Sequence, residues 1–297
     1  MYDIRLKQIE CFLNLAQSLN FTSTAASLNI SQPLVSKWIK SLEEELHTPL
    51  FIRNKDSVSL TESGHFLYDK WSLPFSDMVD AAYGLQNGIS ENEKLIRIGI
   101  LDRCETDIDI HNLIRDFLSS HPDYNIRVSS GGIRETIDRL MGHYLDIAFH
   151  TTLDSGTQKD INFLPIKKVD FYIAISSRHP AAKSDRLSLY DLKDETFFAV
   201  SADESPTGGR RIIAQCQKEG FTPNMQYVSN LPSLALAVVY QCGITITTKA
   251  AVSGYEDMIK LYQLQNPPPT ESLAVLWRKE DPGKEALEFA EYVKCRP

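Results

Sequence analysis

Apolar residues recur every three or four positions at the start of the chain, at Leu6, Ile9, Phe12, Leu13, Ala16 and Leu19, which predicts one helix with one buried stripe. Asn20-Phe21 ends it. Thr22 has the character of an N-cap, and Ala25, Ala26 and Leu28 form the inner face of a second, very short helix before Asn29-Ile30 turns the chain. Ser31 caps a third helix, with Pro33 in its first turn where a missing N–H costs nothing, and Val35, Ile39, Leu42 and Leu46 point inward. The short helix, tight turn and third helix fit a helix-turn-helix.

From Pro49 to Leu60 the pattern changes. Phe51-Ile52 and Val58-Leu60 read as a small antiparallel ribbon, a wing, around the polar tip Arg53 to Ser57. Thr61 caps a long helix whose apolar positions Leu67, Trp71, Phe75, Met78, Ala82 and Leu85 are spaced 4, 4, 3, 4 and 3. This is a coiled-coil seam, so the helix is expected to dimerise, the alternative being that it packs on its own chain. Pro74 predicts a kink inside it, and Gly84, Asn87 and Gly88 mark its end and a hinge.

After residue 93 strands and helices alternate. Strands are expected at 95–100, 125–129 and 146–150, with helices at 108–118 and 133–141 between them. A second set starts near Phe163, with strands at 171–176, 197–200, 225–228 and 244–247 and helices at 209–219 and 231–241. The strand 272–277 and the amphipathic helix 284–294 return to the first lobe. Two α/β lobes joined by crossovers imply a cleft between them, where small ligands usually bind beyond strand C-termini.

Composition narrows the function. At 297 residues the chain is about twice the roughly 150-residue domain prior, so it has room for two or three folded units. Its longest uncharged apolar run, Leu231 to Tyr240, is half of the roughly 20 residues that span a bilayer, and Asp3, Arg5, Lys7 and Glu10 interrupt any apolar signal region. A cytoplasmic protein without membrane contact is expected. Five scattered cysteines (Cys11, Cys104, Cys216, Cys242 and Cys295) with no C-x-x-C suggest neither a disulfide framework nor a zinc site, and no metal or cofactor is implied. The net charge of −8 argues against a nonspecific polycation, but a local basic surface suffices for sequence-specific DNA binding.

The segment FTSTAASLNISQPLVSKWIKSLEEELHTPLFIRNKDSVSLTESG, Phe21 to Gly64, resembles the N-terminal signature of LysR-type transcriptional regulators. LDIAF at Leu145 to Phe149 and GITIT at Gly243 to Thr247 resemble weaker marks of that family's effector-binding domain. The resemblance implies an α/β protein with an all-α N-terminal part: a winged helix-turn-helix (1–60), a long dimerising linker helix (61–88) and a two-lobed effector domain similar to periplasmic binding proteins (89–297). Its lobes would comprise about 93–164 with 269–297, and about 165–268. The implied partners are double-stranded DNA in paired half-sites, a small-molecule effector and a second or further copies of the chain, as a homodimer or homotetramer. RNA polymerase stands as an additional contact of such a regulator.

With Val35, Ile39, Leu42 and Leu46 inward, Gln32, Ser36, Lys37 and Lys40 occupy the outward face that would enter the major groove. Gln32 and Lys37 are long donors suited to base edges, and Pro33 offers an apolar contact to a thymine methyl. The resemblance supports the same positions and adds Ser23, Ser31 and Arg53 of the wing as DNA contacts. The chain departs from the family in charge. Residues 1 to 65 hold six basic side chains against seven acidic ones, with Asp56, Ser57 and Ser59 where such proteins often carry arginine. Modest nonspecific affinity and greater reliance on oligomer avidity follow.

In a fold of this kind, strand-end geometry and the resemblance together place the effector against Leu101, Asp102 and Arg103, Gly132 and Ile133, His150 and Thr151, the loop with Ser201, Asp203 and Thr207, and Thr245. Asp102, Glu105, Asp107 and Asp109 surround the first of these loops, with Arg103 as the lone cation. Two readings stand: helix capping by Asp107 with solvated acids, or an effector carrying an amine. Other classes remain to be separated. A thiol-based redox sensor would use Cys104 or Cys216. A hydrolase lacks G-x-S-x-G, H-E-x-x-H and P-loop motifs, so no enzyme activity is expected. A solute-binding protein would account for residues 93–297 but not for the helix-turn-helix.

Overall fold

The computed structural model describes residues 3–53, 58–87, 94–152, 159–264 and 271–296; the side chains of residues 80 and 83–87 fall outside this description. The expected wing tip 54–57, Gly88 of the hinge, the lobe limits at 89, 93 and 269, and the Leu85 side chain therefore lie outside the described residues. The chain folds as two units, one holding the N-terminal residues to Asn92 and the other most of the chain from Glu93 onward.

In the N-terminal unit the apolar stripes close on one another. Helices α1 (Leu6–Ser18), α2 (Phe21–Ser27) and α3 (Gln32–Leu46) bury Phe12, Leu13, Leu15, Ala25, Val35, Ile39 and Leu42 in one core. Strands β1 (Phe51–Arg53) and β2 (Val58–Leu60) pair antiparallel, and α4 (Glu62–Asn87) follows. Thr61 does cap α4: its hydroxyl accepts the Gly64 amide at 2.9 Å.

Three local expectations are corrected. Asn20, not Thr22, caps α2, because its side chain accepts the Thr22 and Ser23 amides at 2.9 and 3.0 Å. The helix thus starts at Phe21, which turns Thr24 into the core and leaves Ala26 exposed. Ser31 holds the N-cap position of α3 without a side-chain capping bond.

The third correction concerns α4, which runs through Pro74 as one helix. Part of its stripe serves its own unit. Leu67, Trp71 and Phe75 pack on the core of their own unit, with Trp71 edge-to-face on Phe12 at 6.0 Å. Met78, 52% exposed, and Ala82 remain open. The first half of the stripe is consumed because α1 presents an aromatic face within reach.

The second unit has two lobes. In the first, β3 (Lys94–Leu101) pairs parallel with β4 (Tyr124–Gly131) and with β5 (Ile147–Thr151), while β12 (Glu271–Arg278) lies antiparallel between β5 and β6 (Ile161–Val169). Helices α5 (Ile108–Ser120), α6 (Ile133–Met141) and α9 (Lys284–Lys294) belong to this lobe. Ile96, Ile98, Phe117, Phe149, Val275 and Phe289 form its core.

The second lobe is less parallel than its strand–helix alternation predicts. β7 (Phe171–Ser176) pairs antiparallel with both β10 (Thr245–Thr248) and β11 (Ile259–Gln263), whereas β8 (Thr196–Val200) pairs parallel with β9 (Asn224–Val228). Helices α7 (Gly208–Lys218) and α8 (Leu231–Val239) cover it. Because β6 stays in the first sheet to Val169, the chain crosses between lobes at Asp170 rather than near 164.

Candidate nucleic-acid interface and effector cavity

The outward face of α3 is built by what the inward face buries. Val35, Ile39 and Leu42 are fully buried, and the helix period then places Ser31, Gln32, Pro33, Lys37 and Lys40 on the exposed side, with Ser36 half-buried. Gln32 Nε2 donates to Ser36 Oγ at 3.4 Å, and Lys40 lies 3.6 Å from Glu44 one turn on. Ser23 is exposed on α2.

Glu43 ties the wing to this helix. Its Oε1 accepts the Leu50 and Phe51 amides at 2.8 and 3.1 Å, and its Oε2 accepts Arg53 Nη2 at 3.0 Å. The Arg53 guanidinium also lies 5.1 Å over the Phe21 ring. Arg53 is therefore held toward α2 and α3, and would have to leave Glu43 to reach a phosphate. Gly64 allows the wing to close on α4, since a Cβ there would stand 2.2 Å from the Leu50 carbonyl oxygen.

A cavity of about 550 Å³ opens between the two lobes of the second unit. Leu101, Asp102, Arg103, Ile133, Thr151 and Thr245 line it, as six of the eleven sequence-based positions. The other five do different work. His150 is fully buried with its ring nitrogens 2.8 and 3.1 Å from the carbonyl oxygens of Thr151 and Ile133. Gly132 lies under the Glu204 carboxylate. The Ser201 carbonyl accepts the Glu204 and Ser205 amides, the Asp203 carbonyl accepts Arg134 Nη1 at 3.2 Å, and the Thr207 carbonyl accepts the Arg211 amide.

Several lining residues escaped sequence reasoning, among them Lys167, Lys168, Phe171, Ser205, Arg211 and Lys249. The doublets Lys167-Lys168 and Arg210-Arg211, the second in the first turn of a helix, were the available signals.

Arg103 is not the lone cation at the first loop. Lys167 reaches across from β6 to Asp107 at 2.6 Å and Asp109 at 2.8 Å, while Asp107 caps α5 by accepting the Asp109 amide. Asp107 and Asp109 are thereby paired from within the protein, in keeping with the capping reading of this loop. Burial pushes the Asp102 carboxyl up, with Glu105 and Glu135 adding repulsion.

Contacts also cross the cavity. Arg103, in the left-handed backbone region at φ 73°, donates to the carbonyls of Ala251 and Ser253 and lies 5.0 Å over the Tyr255 ring. Arg211 of α7 pairs with Glu271 of β12 at 2.6 Å. Glu204 accepts the Ile133 amide at the start of α6 at 2.5 Å. Cys104 and Cys216 are buried. Burial with the nearby Asp107 charge pushes the first thiol up to about 12, and burial with Glu219 does the same to the second. Among the described residues no group of three metal-ligating side chains occurs, and no helix is long and apolar enough to cross a membrane.

Residues 6–65 match the model of the bacterial regulatory helix-turn-helix protein, lysR family, and residues 91–296 match that of the LysR substrate binding domain. The HTH-type transcriptional regulator BudR of Raoultella terrigena is 26% identical over 291 residues, covering 97% of this chain and 99% of that protein. Full-length CbnR complexed with its target DNA is similar in structure, with TM-score 0.61 at 16% identity over 98% of both chains. The effector binding domain of QuiR in complex with shikimate aligns with TM-score 0.58 at 20% identity, covering 68% of this chain and 95% of that one.

Proposed function

Because the chain belongs to the LysR family of DNA-binding transcriptional regulators with an effector-binding domain, we propose that it acts as a homodimer or homotetramer. Paired α3 helices read two DNA half-sites, and a small molecule held between the lobes sets their spacing. The observation that carries this is the segregation on α3, where Val35, Ile39 and Leu42 are sealed and Gln32, Lys37 and Lys40 stand in solvent. On this reading Ser23, Ser31, Pro33, Ser36 and Arg53 complete the DNA contacts, residues 1–60 form the reading head and 61–88 the dimerising helix. Met78, Ala82 and Leu85 supply the part of the stripe left for a partner copy.

Residues 89–297 take the effector against Leu101, Asp102, Arg103, Ile133, Thr151 and Thr245, and the whole works in the cytoplasm where chromosomal DNA and RNA polymerase are met. CbnR in complex with DNA and the QuiR domain holding shikimate support the two halves of this reading. Effector control requires that the ligand bind the two assembly states with different affinity.

Titration of the full chain against labelled fragments of its own genome tests the reading. With three proposed DNA-contacting cations per head, Lys37, Lys40 and Arg53, and two heads, log Kobs should fall against log salt with a slope of about −5, well short of the roughly −10 of a strongly basic repressor. A slope near that steeper value would overturn the avidity argument, and no complex at low salt would overturn the function.

A thiol-based sensor is the weaker reading, because thiols pushed up to about 12 carry almost no thiolate at neutral pH. Mild peroxide at pH 7.5 should leave Cys104 and Cys216 unmodified by peptide mass spectrometry, while exposed Cys242 and Cys295 are alkylated freely by iodoacetamide. A sulfenate on Cys104 or Cys216 would reverse this order.

A further inference from the structure

The cavity's chemistry can be read from which of its polar seats are already taken. The N-terminus of α6 is the natural anion seat on the first-lobe wall, yet Glu204 fills it: Oε1 accepts the Ile133 amide at 2.5 Å, and the Arg134 amide also faces the carboxylate. Gly132 is shaped around that carboxylate, since a Cβ there would stand 2.3 Å from Oε1. Arg211 already holds the buried Glu271 at 2.6 Å, and Lys167 holds Asp107 and Asp109. The Arg103 guanidinium is spent on backbone carbonyls and the Tyr255 ring. Lys168 and Lys249 line the cavity but are exposed, so water solvates them.

An ammonium fares no better. Asp107 is paired with Lys167, Glu256 is exposed and solvated like the two lysines, and burial beside Glu105 and Glu135 favours the uncharged form of the Asp102 carboxyl. Between these seats much of the wall is apolar, formed by Leu101, Ile133, Phe171, Val200, Leu234 and Leu273, with hydroxyls such as Thr247 and Ser205 among them. One donor breaks the pattern. Among the described residues, Nη1 of Arg211 is buried and finds no hydrogen-bond partner, although Nη2 of the same side chain is paired and its guanidinium lies 5.2 Å over the Phe171 ring. A buried orphan donor is costly and calls for an acceptor. The Thr245 hydroxyl, by contrast, donates to the Phe198 carbonyl at 2.8 Å.

We propose that the effector is an uncharged, largely apolar molecule whose carbonyl-type oxygen accepts a hydrogen bond from Arg211 Nη1, with Glu204 excluding carboxylates from the α6 seat. The proposal rests on the effector-cavity reading above and narrows it to a ligand class. Because the acceptor meets an arginine already neutralised by Glu271, no net charge is buried on binding. Arg211 and Glu271 come from opposite lobes, so a ligand at Nη1 also reinforces their pairing.

Acetophenone, benzoate and benzylamine share one ring and differ in one group, which makes them suitable probes of the full-length protein by thermal unfolding. In roughly tenfold excess over its Kd, acetophenone should raise Tm by about 3 °C, with benzoate and benzylamine giving no comparable rise. Arg211→Lys keeps a cation opposite Glu271 but replaces the planar fork with a single nitrogen, which cannot hold Glu271 and a ligand oxygen at the Nη1 position together, and should lose the acetophenone shift. Glu204→Ala empties the α6 seat and should gain a shift with benzoate; should Arg211→Lys fail to fold, this second variant decides.

Benzoate or benzylamine stabilising the unaltered chain as well as acetophenone overturns the ligand class. So does an absence of any shift with acetophenone, an undiminished shift in folded Arg211→Lys, or no benzoate shift in Glu204→Ala. Gel shifts on genomic fragments with the same preparations keep the two failures apart. An operator complex alongside failed probes sinks the ligand class alone, and the lack of any complex sinks the regulator reading.

Discussion

Asp146→Ala is expected to lower the stability of the effector-binding domain by about 3–5 kcal/mol, the usual cost of removing one partner from a buried ion pair. Asp146 is 7% exposed at the foot of β5. Its Oδ2 accepts the Arg97 backbone amide at 2.8 Å and Arg97 Nε at 2.9 Å, and its Oδ1 accepts Arg97 Nη2 at 2.7 Å. Arg278 of β12, equally buried, stands 4.0 Å from Oδ1 and donates to the carbonyls of Leu140 and Leu145 at 2.7 and 2.5 Å.

One carboxylate therefore balances two guanidinium groups, Arg278 buried and Arg97 nearly so, from the strands on either side of β5. Truncation leaves both positive charges and the Arg97 amide without it, and the low dielectric magnifies the penalty. Urea unfolding followed by the second unit's tryptophan, Trp277, gives the measurement. A loss below about 1 kcal/mol would show that water or the carbonyls solvate the arginines well enough, and would remove the network from the account of this lobe. Asp146→Asn, which keeps one acceptor, should fall between.

The second large effect concerns DNA. Gln32→Ala combined with Lys37→Ala should weaken binding to the specific site by about 2–6 kcal/mol, taking about 1–3 kcal/mol for each base-reading side chain, while helix content stays unchanged. Both side chains are exposed and carry none of the buried core of α3, so folding and binding separate cleanly. Binding to random-sequence DNA should fall far less, because the backbone term depends on the remaining cations. Anisotropy with specific and scrambled duplexes at one salt concentration reads both. Equal losses on the two duplexes would mean that these residues hold phosphates and do not read bases.

The outward row on α3 was legible in the sequence because a helix period carries the information locally: once Val35, Ile39 and Leu42 are assigned inward, the positions of Gln32, Lys37 and Lys40 follow. The wing was legible for the same reason, with two short β-prone runs around a polar tip and a threonine cap behind them. Boundaries were less so. Asn20 and Thr22 are both good caps, and only the buried position taken by Thr24 decides between them. The edge strands β6 and β11 went unseen because their sequences, INFLPIKKV with an internal proline and IKLYQ, do not alternate cleanly between apolar and polar residues.

What local pattern determined by itself is the set of elements: the head helices, the long α4, the βα alternation, and the strand ends at which a cleft must open. Each depends on residues within a few turns of one another. Tertiary structure alone decided which charges meet and which stripes are consumed. Lys167 and Asp107 are brought together by a sheet edge, Arg211 and Glu271 by two lobes closing on one cavity, and Leu67, Trp71 and Phe75 are partly buried against the core of their own unit. Pairing energy depends on distance in space and on burial, neither of which is written in the spacing along the chain.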